Sequence, residues 1–260
     1  MKEQIIIIAK TYPNLSRKYE ETVCVGGITT AGEWVRLFPI RFRNLRSEQK
    51  FRKFDLIEAD ISKTTDKFSR RESHKVDDSS IKVVGSVPKE NWEERKKILL
   101  KFMDKSIEEL ESKKKSEHKT FGIIKPKKIV SFYKKPINEC REWERELIEG
   151  TQTTLNQIMT GEKYRTPLEK IPYWLGYNFY CDDETCKGHN MMCEDWEVLE
   201  LFRSMKQKYG DDETAFKKVK EKVFDWMLEK RDLYFVVGTE SRWNKFLIVS
   251  LFYPPASLTN

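Results

Sequence analysis

The sequence lacks any apolar run of the roughly eighteen residues that a transmembrane helix requires, so no membrane span or membrane partner is expected. Its opening, MKEQIIIIAK, has no cleavage-site pattern, which argues against a secretory signal; Ile5 to Ile8 read instead as a buried strand. Motifs that cradle phosphates or build hydrolase sites are missing too: no P-loop, G-x-G-x-x-G, G-x-S-x-G or H-E-x-x-H occurs. Cysteine is scarce, five in 260 residues, and three of the five crowd between positions 181 and 193. Such usage does not suggest a disulfide framework. A soluble cytoplasmic protein is the expectation, and no internal repeat is evident.

What the chain does have is aromatic side chains and charge. Fifteen Phe, 10 Tyr and 7 Trp supply the apolar surface that a disordered chain lacks. Lys and Arg total 49 against 42 Asp and Glu, a formal +7, and the excess is unevenly distributed.

Three regions separate by pattern. Residues 1–88 carry short β-branched and aromatic runs (IIIIAK, ETVCVGGI, GEWVRLFPI, FDLIEADI, SIKVVGSV), as expected of a small barrel or sandwich. Residues 89–118 read as a connecting helix followed by a basic linker, SKKKSEHK. Residues 119–260 mix types: strands in FGIIKPKKIVSFYKK, a short helix in TTLNQIMTG closed by Gly161, and an aromatic strand in IPYWLGYNFYC. Helices are expected after Asp195 and Asp211, and two strands in DLYFVVGT and NKFLIVSLFYPP.

The most specific chemistry lies in CDDETCKGHNMMC. Cys181, Cys186, His189 and Cys193 follow C-x4-C-x2-H-x3-C, thiolates and an imidazole of the kind that closes a tetrahedral, structural zinc site. Gly188 eases the path between ligands. The plainer alternative, a buried apolar cysteine, applies to Cys193 above all, and Cys140 is then the reserve ligand. An iron–sulfur cluster fits less well with a histidine in the loop. The zinc-deaminase signature, H-x-E with P-C-x-x-C, is absent.

The second constellation is RFRNLRSEQKFRKF, residues 41–54. Arg41, Arg43, Arg46, Arg52 and Lys53, with Lys50, can neutralise phosphates, while Phe42, Phe51 and Phe54 between them suit base stacking. Lys67, Arg70, Arg71 and Lys75 in KFSRRESHK add to it, as do the lysines between 113 and 128; solvated loops over core phenylalanines are the plainer alternative. For catalysis the candidates are thin. Asp55, Glu58 and Asp60 on one strand, with Lys63, could form a magnesium-binding nuclease edge, and Arg71–Glu72 are a further pair. A charged strand edge explains the first set more simply.

GEWVRLFPIRFRNL, RRES, FGIIKPKKI, PYWLGYNFYC, and CKGH followed by EDWEVLELF together resemble the prokaryotic dual OB-fold domain proteins, as does the closing strand pair. The resemblance implies an α+β chain of two OB-like barrels with helical insertions and a metal-binding loop. By fold analogy it implies oligonucleotide binding, in a phage-defence or mobile-element setting. Its carried-over positions are Trp34, Arg36, Arg43, Arg71, Glu72, Cys181, Cys186, His189, Asp195 and Trp196; Cys193 departs from the pattern. The function expected is a non-catalytic nucleic-acid-binding module with structural zinc. Arginines would contact the backbone, and Trp34 or a phenylalanine would stack bases. A metal-dependent nuclease or nucleic-acid-modifying enzyme is the main alternative, and a nucleotide or modified-base sensor the second.

Overall fold

The computed structural model describes residues 1–64, 70–138, 144, 168–240 and 244–256. The expected TTLNQIMTG helix, Lys67 and the reserve ligand Cys140 lie outside these residues.

The strands of the first hundred residues are β1 (Lys2–Lys10), β2 (Asn14–Ser16), β3 (Glu20–Thr29), β4 (Trp34–Ile40), β5 (Asp55–Lys63), β6 (Ser73–Val76) and β7 (Lys82–Ser86). Five of them close a barrel in the order β1-β3-β4-β6-β5, with β5 returning to β1; β2 and β7 are appended to β3 and β5. All pairings in the ring are antiparallel except β4 with β6.

The four isoleucines explain why this barrel is not free-standing. A strand with one buried face alternates apolar and polar residues, whereas an unbroken apolar run needs cover on both faces. Ile5 and Ile7 point into the barrel with Val25, Val35, Leu37 and Ile57. Ile6 and Ile8 face outward, packed with Ile28, Trp34 and Phe54 against Phe121, Tyr234, Val236 and Phe252 of the second half. The outer wall of the barrel is therefore an internal interface.

Helix α1 (Trp92–Leu100) follows, capped by Asn91, then the short β8 (Met103–Asp104) and α2 (Ile107–Glu117), capped by Ser106. The expected single helix is thus two, and Lys113, Lys114 and Lys115, read as a linker, lie within α2. The remaining strands are β9 (Phe121–Ile124), β10 (Lys128–Pro136), β11 (Tyr173–Tyr180), β12 (His189–Met192), β13 (Tyr234–Thr239) and β14 (Phe246–Phe252). They form a four-stranded sheet, β14-β13-β9-β8, and a three-stranded one, β10-β11-β12. A bridge from Cys193 to Ile248 connects the two sheets.

Helix α3 (Trp196–Tyr209) starts at the Asp195 cap and ends at Gly210, whose φ of +81° is the left-handed geometry that glycine accommodates. Helix α4 (Asp212–Lys220) runs on through a π-type stretch, Glu221–Trp226, into α5 (Met227–Lys230). Ala215, Val219, Val223 and Met227 form its buried stripe, against a core that includes Phe202, Tyr177 and Phe235. The chain is a mixed α+β protein with one closed five-stranded barrel. The second barrel expected from the resemblance is not shown; the described strands of this half stay in two sheets.

Candidate metal centre and nucleic-acid interface

The cysteine cluster is assembled from two places in the sequence. The tight segment between β11 and β12 brings Cys181, Cys186 and His189 together, turning at Gly188, where φ is +92° and a Cβ would press on the Tyr180 ring. The fourth member is Glu108, in the first turn of α2. Ligand atoms of Glu108, Cys181, Cys186 and His189 all lie within 4.8 Å of one another, the one group of this kind among the described residues. Cys186 Sγ is 3.3 Å from His189 Nε2, which is 3.2 Å from Glu108 Oε1. Zinc bond lengths of about 2.0–2.3 Å in a tetrahedron place neighbouring ligand atoms roughly 3.3–3.7 Å apart. The second carboxylate oxygen, Glu108 Oε2, is buried without a hydrogen-bond partner.

Neighbouring groups fix the ligands in place. Asp183 accepts from Ser106 Oγ at 2.8 Å, and also from the backbone and hydroxyl of Thr185, tying the cysteine loop to the start of α2. The His189 ring packs on Phe179, its cross-strand neighbour. Burial pushes the Cys181 thiol up to about 12, a shift that the Ile107 amide bonded to it only partly opposes. A thiol so placed holds its proton unless a cation takes that place, and binding a dication releases it. The donor set fits a metal ion.

Cys193, the expected fourth ligand, is elsewhere. It lies just past β12, 2% exposed, with its amide bonded to the Leu175 carbonyl, and burial raises its thiol pKa. The alternative of a buried apolar cysteine describes it. Glu108 was missed because nothing local marks it. The only hint is an acid in the first turn of a Ser-capped helix, which is common for dipole reasons alone.

Residues 103–260 match the family model described as Domain of unknown function (DUF8757). The chain belongs to the DUF8757 family. Residues 1–101 match a second model, Domain of unknown function (DUF8758), so the two matches meet just before β8. No curated protein matches the chain. The DUF8757 match contains all four members of the metal cluster, and the DUF8758 match contains the barrel and the whole basic segment.

In that basic segment the phenylalanines do not form a stacking platform. Phe42, Phe51 and Phe54 are all buried, the first two inside the barrel core and Phe54 in the interface between halves. Lys53 is not a surface cation: its ammonium lies 2.9 Å from both Asp195 and Glu197, and their charges raise its pKa in spite of burial. Arg43 pairs with Glu21 at 2.9 Å. Arg41 pairs with Asp78 at 3.2 Å yet stays half exposed, and Arg46, Lys50 and Arg52 are exposed. The apolar residues of 41–54 thus anchor a loop whose outer side is cationic.

Trp34 and Arg36, on the outer face of β4, are covered by the second half. The Trp34 ring stacks on Phe121 at 4.8 Å and packs on Phe102. Arg36, 8% exposed, lies over the Phe121 ring and pairs with Glu72 at 3.4 Å, and Glu72 also meets the Thr120 hydroxyl. A Cβ on Gly26 would come within 3.1 Å of Phe121. Arg71 is exposed.

The candidate catalytic carboxylates are dispersed into structural roles. Asp55 accepts from the Arg52 amide at 2.6 Å, Glu58 pairs with Lys2 at 3.3 Å, and Asp60 is exposed; Lys63 bonds to the Arg71 carbonyl. Among the described residues these acids form no ligand cluster.

Proposed function

We propose that the protein is a non-catalytic nucleic-acid-binding protein, its fold clamped by a structural zinc ion held by Glu108, Cys181, Cys186 and His189. The observation that carries the reading is the rim between β4 and β5. Arg41, Arg46, Lys50 and Arg52 face solvent on a loop pinned from below by Phe42, Leu45 and Phe51. Cations held on a rigid loop meet phosphates with less ordering entropy than cations on a mobile one. A five-stranded barrel with a crossed strand order is also the architecture of OB folds, which bind oligonucleotides. Phe121 covers much of the β3–β4 wall, so contact with a strand falls to the rim loop. Zinc is favoured by the mixed sulfur, nitrogen and oxygen set. The phage-defence or mobile-element setting rests on the resemblance to dual OB-fold proteins alone.

Fluorescence polarisation with labelled single-stranded DNA and RNA at low salt tests the binding. The expected result is affinity that falls steeply with salt and drops further in an Arg41→Ala, Arg46→Ala, Arg52→Ala variant. No binding to either polymer at low salt overturns the reading.

A further inference from the structure

A cleft of about 840 Å³ lies where the end of the barrel meets the C-terminal end of α2 and the start of β9. Its volume is in the range that holds one small ligand, not a length of polymer. One wall is aromatic: the partly exposed Trp34, stacked on the buried Phe121. The other walls carry both signs of charge. Arg71 and His118 are exposed cationic or protonatable groups, and Glu3 and Glu33 bring carboxylates.

One detail marks the cleft as more than a surface dent. His74, also on the wall, has its Nδ1 2.9 Å from the Glu72 carbonyl oxygen. A carbonyl only accepts, so the proton sits on Nδ1 and Nε2 is the ring nitrogen left for a ligand.

We propose that this cleft binds one nucleoside monophosphate unit, with Arg71 and His118 on the phosphate and the Glu3 and Glu33 carboxylates accepting from exocyclic amino groups of the base. A ligand with an anionic group at one end and amino donors at the other complements walls of both signs. Carboxylates facing amino groups is the pairing by which proteins read cytosine and its like. Because Trp34 already stacks on Phe121, recognition of the base is by edge polarity and not by stacking between rings. The inference rests on the nucleic-acid reading for its ligand class. The same chemistry is offered by a free nucleotide and by the phosphorylated end of an oligonucleotide.

Calorimetric titration with the four ribonucleoside monophosphates, alongside polarisation with end-phosphorylated and unphosphorylated oligonucleotides, separates the cases. The expected result is binding of adenosine, cytidine or guanosine monophosphate with uridine monophosphate weakest, and a loss of about tenfold in Arg71→Ala or His118→Asn, the worth of one charged contact. Both residues are exposed, and an unchanged melting temperature shows that the variants fold. Preference for the phosphorylated end, lost in the same variants, identifies the end of a strand as the source. Free nucleotides binding with no such preference identifies the mononucleotide. Oligonucleotide binding that ignores both variants and the end phosphate, with no nucleotide bound, overturns the cleft and leaves the rim reading standing. Nucleotide binding without any oligonucleotide binding overturns the rim and leaves the cleft.

Discussion

The Lys53 ammonium and the Asp195 carboxylate, 2.9 Å apart and both shielded from solvent, join the loop below the barrel to the cap of helix α3. Asp195 is fully committed: one oxygen accepts from the Glu197 amide at 2.8 Å, the other from the Leu251 amide at 2.7 Å as well as from Lys53. Removing one member of a buried pair strands the other, which costs roughly 3–5 kcal/mol. Lys53→Met is expected to lower stability by that order in denaturant titration. Asp195→Ala should cost more, because it also removes a helix cap and orphans the Leu251 amide. Equal, sub-kilocalorie effects would show that the pair does not hold the halves together.

The metal cluster makes a prediction that the sequence alone would have made differently. Elemental analysis should find zinc in the purified protein, retained in Cys193→Ser and lost or sharply reduced in Cys186→Ser and Glu108→Gln. Chelation should lower the melting temperature of the parent protein and leave that of Cys186→Ser unchanged. Loss of zinc from Cys193→Ser with retention in Glu108→Gln would restore the four-ligand set read from spacing.

Phe121 is where the second half meets the barrel, stacked under Trp34 and lying beneath the Arg36 guanidinium. It is 2% exposed, and truncating a core phenylalanine costs about 3–5 kcal/mol. Phe121→Ala is therefore expected to destabilise by that order, and to increase proteolytic cleavage between the halves. A variant as stable as the parent would mean that the interface packs without it.

Glu194, beside the Asp195 cap, has its carboxyl pushed up to about 7 from an ordinary 4.5 by burial, and secondarily by Glu240. The folded state then holds a proton that the unfolded state releases between those values. Its stabilising contribution is complete below about pH 4.5 and is lost as the pH rises toward 7. Denaturant titrations at intervals from pH 4.5 to 7.5 should show Glu194→Gln losing less stability across this window than the parent. Parallel curves would sink the assignment.

Much of the fold was legible because periodicity reports burial. The two helices after Asp195 and Asp211 carry both the apolar spacing and the aspartate caps of their type, and the strands ending at Thr239 and Phe252 are largely apolar runs covered on both faces. Residues 41–54 were harder, since alternating phenylalanine and arginine describes a stacking platform and an anchored loop equally well. Only the packing of Phe42 and Phe51 inside the barrel decides between them. The metal site was half legible: Cys181, Cys186 and His189 are local, whereas Glu108 enters from a helix far upstream. The cleft beside Trp34 was not legible at all, because its walls come from the barrel end, β6 and α2.

Within helix α2, Glu108, in the metal cluster, and Glu117, on the wall of the cleft, are nine residues apart, a span of about 14 Å. The proposed ion and the proposed ligand would thus bear on the two ends of one helix, so any coupling between them is reciprocal. Whatever factor the ion contributes to affinity in the cleft, occupancy of the cleft must return to affinity for the ion.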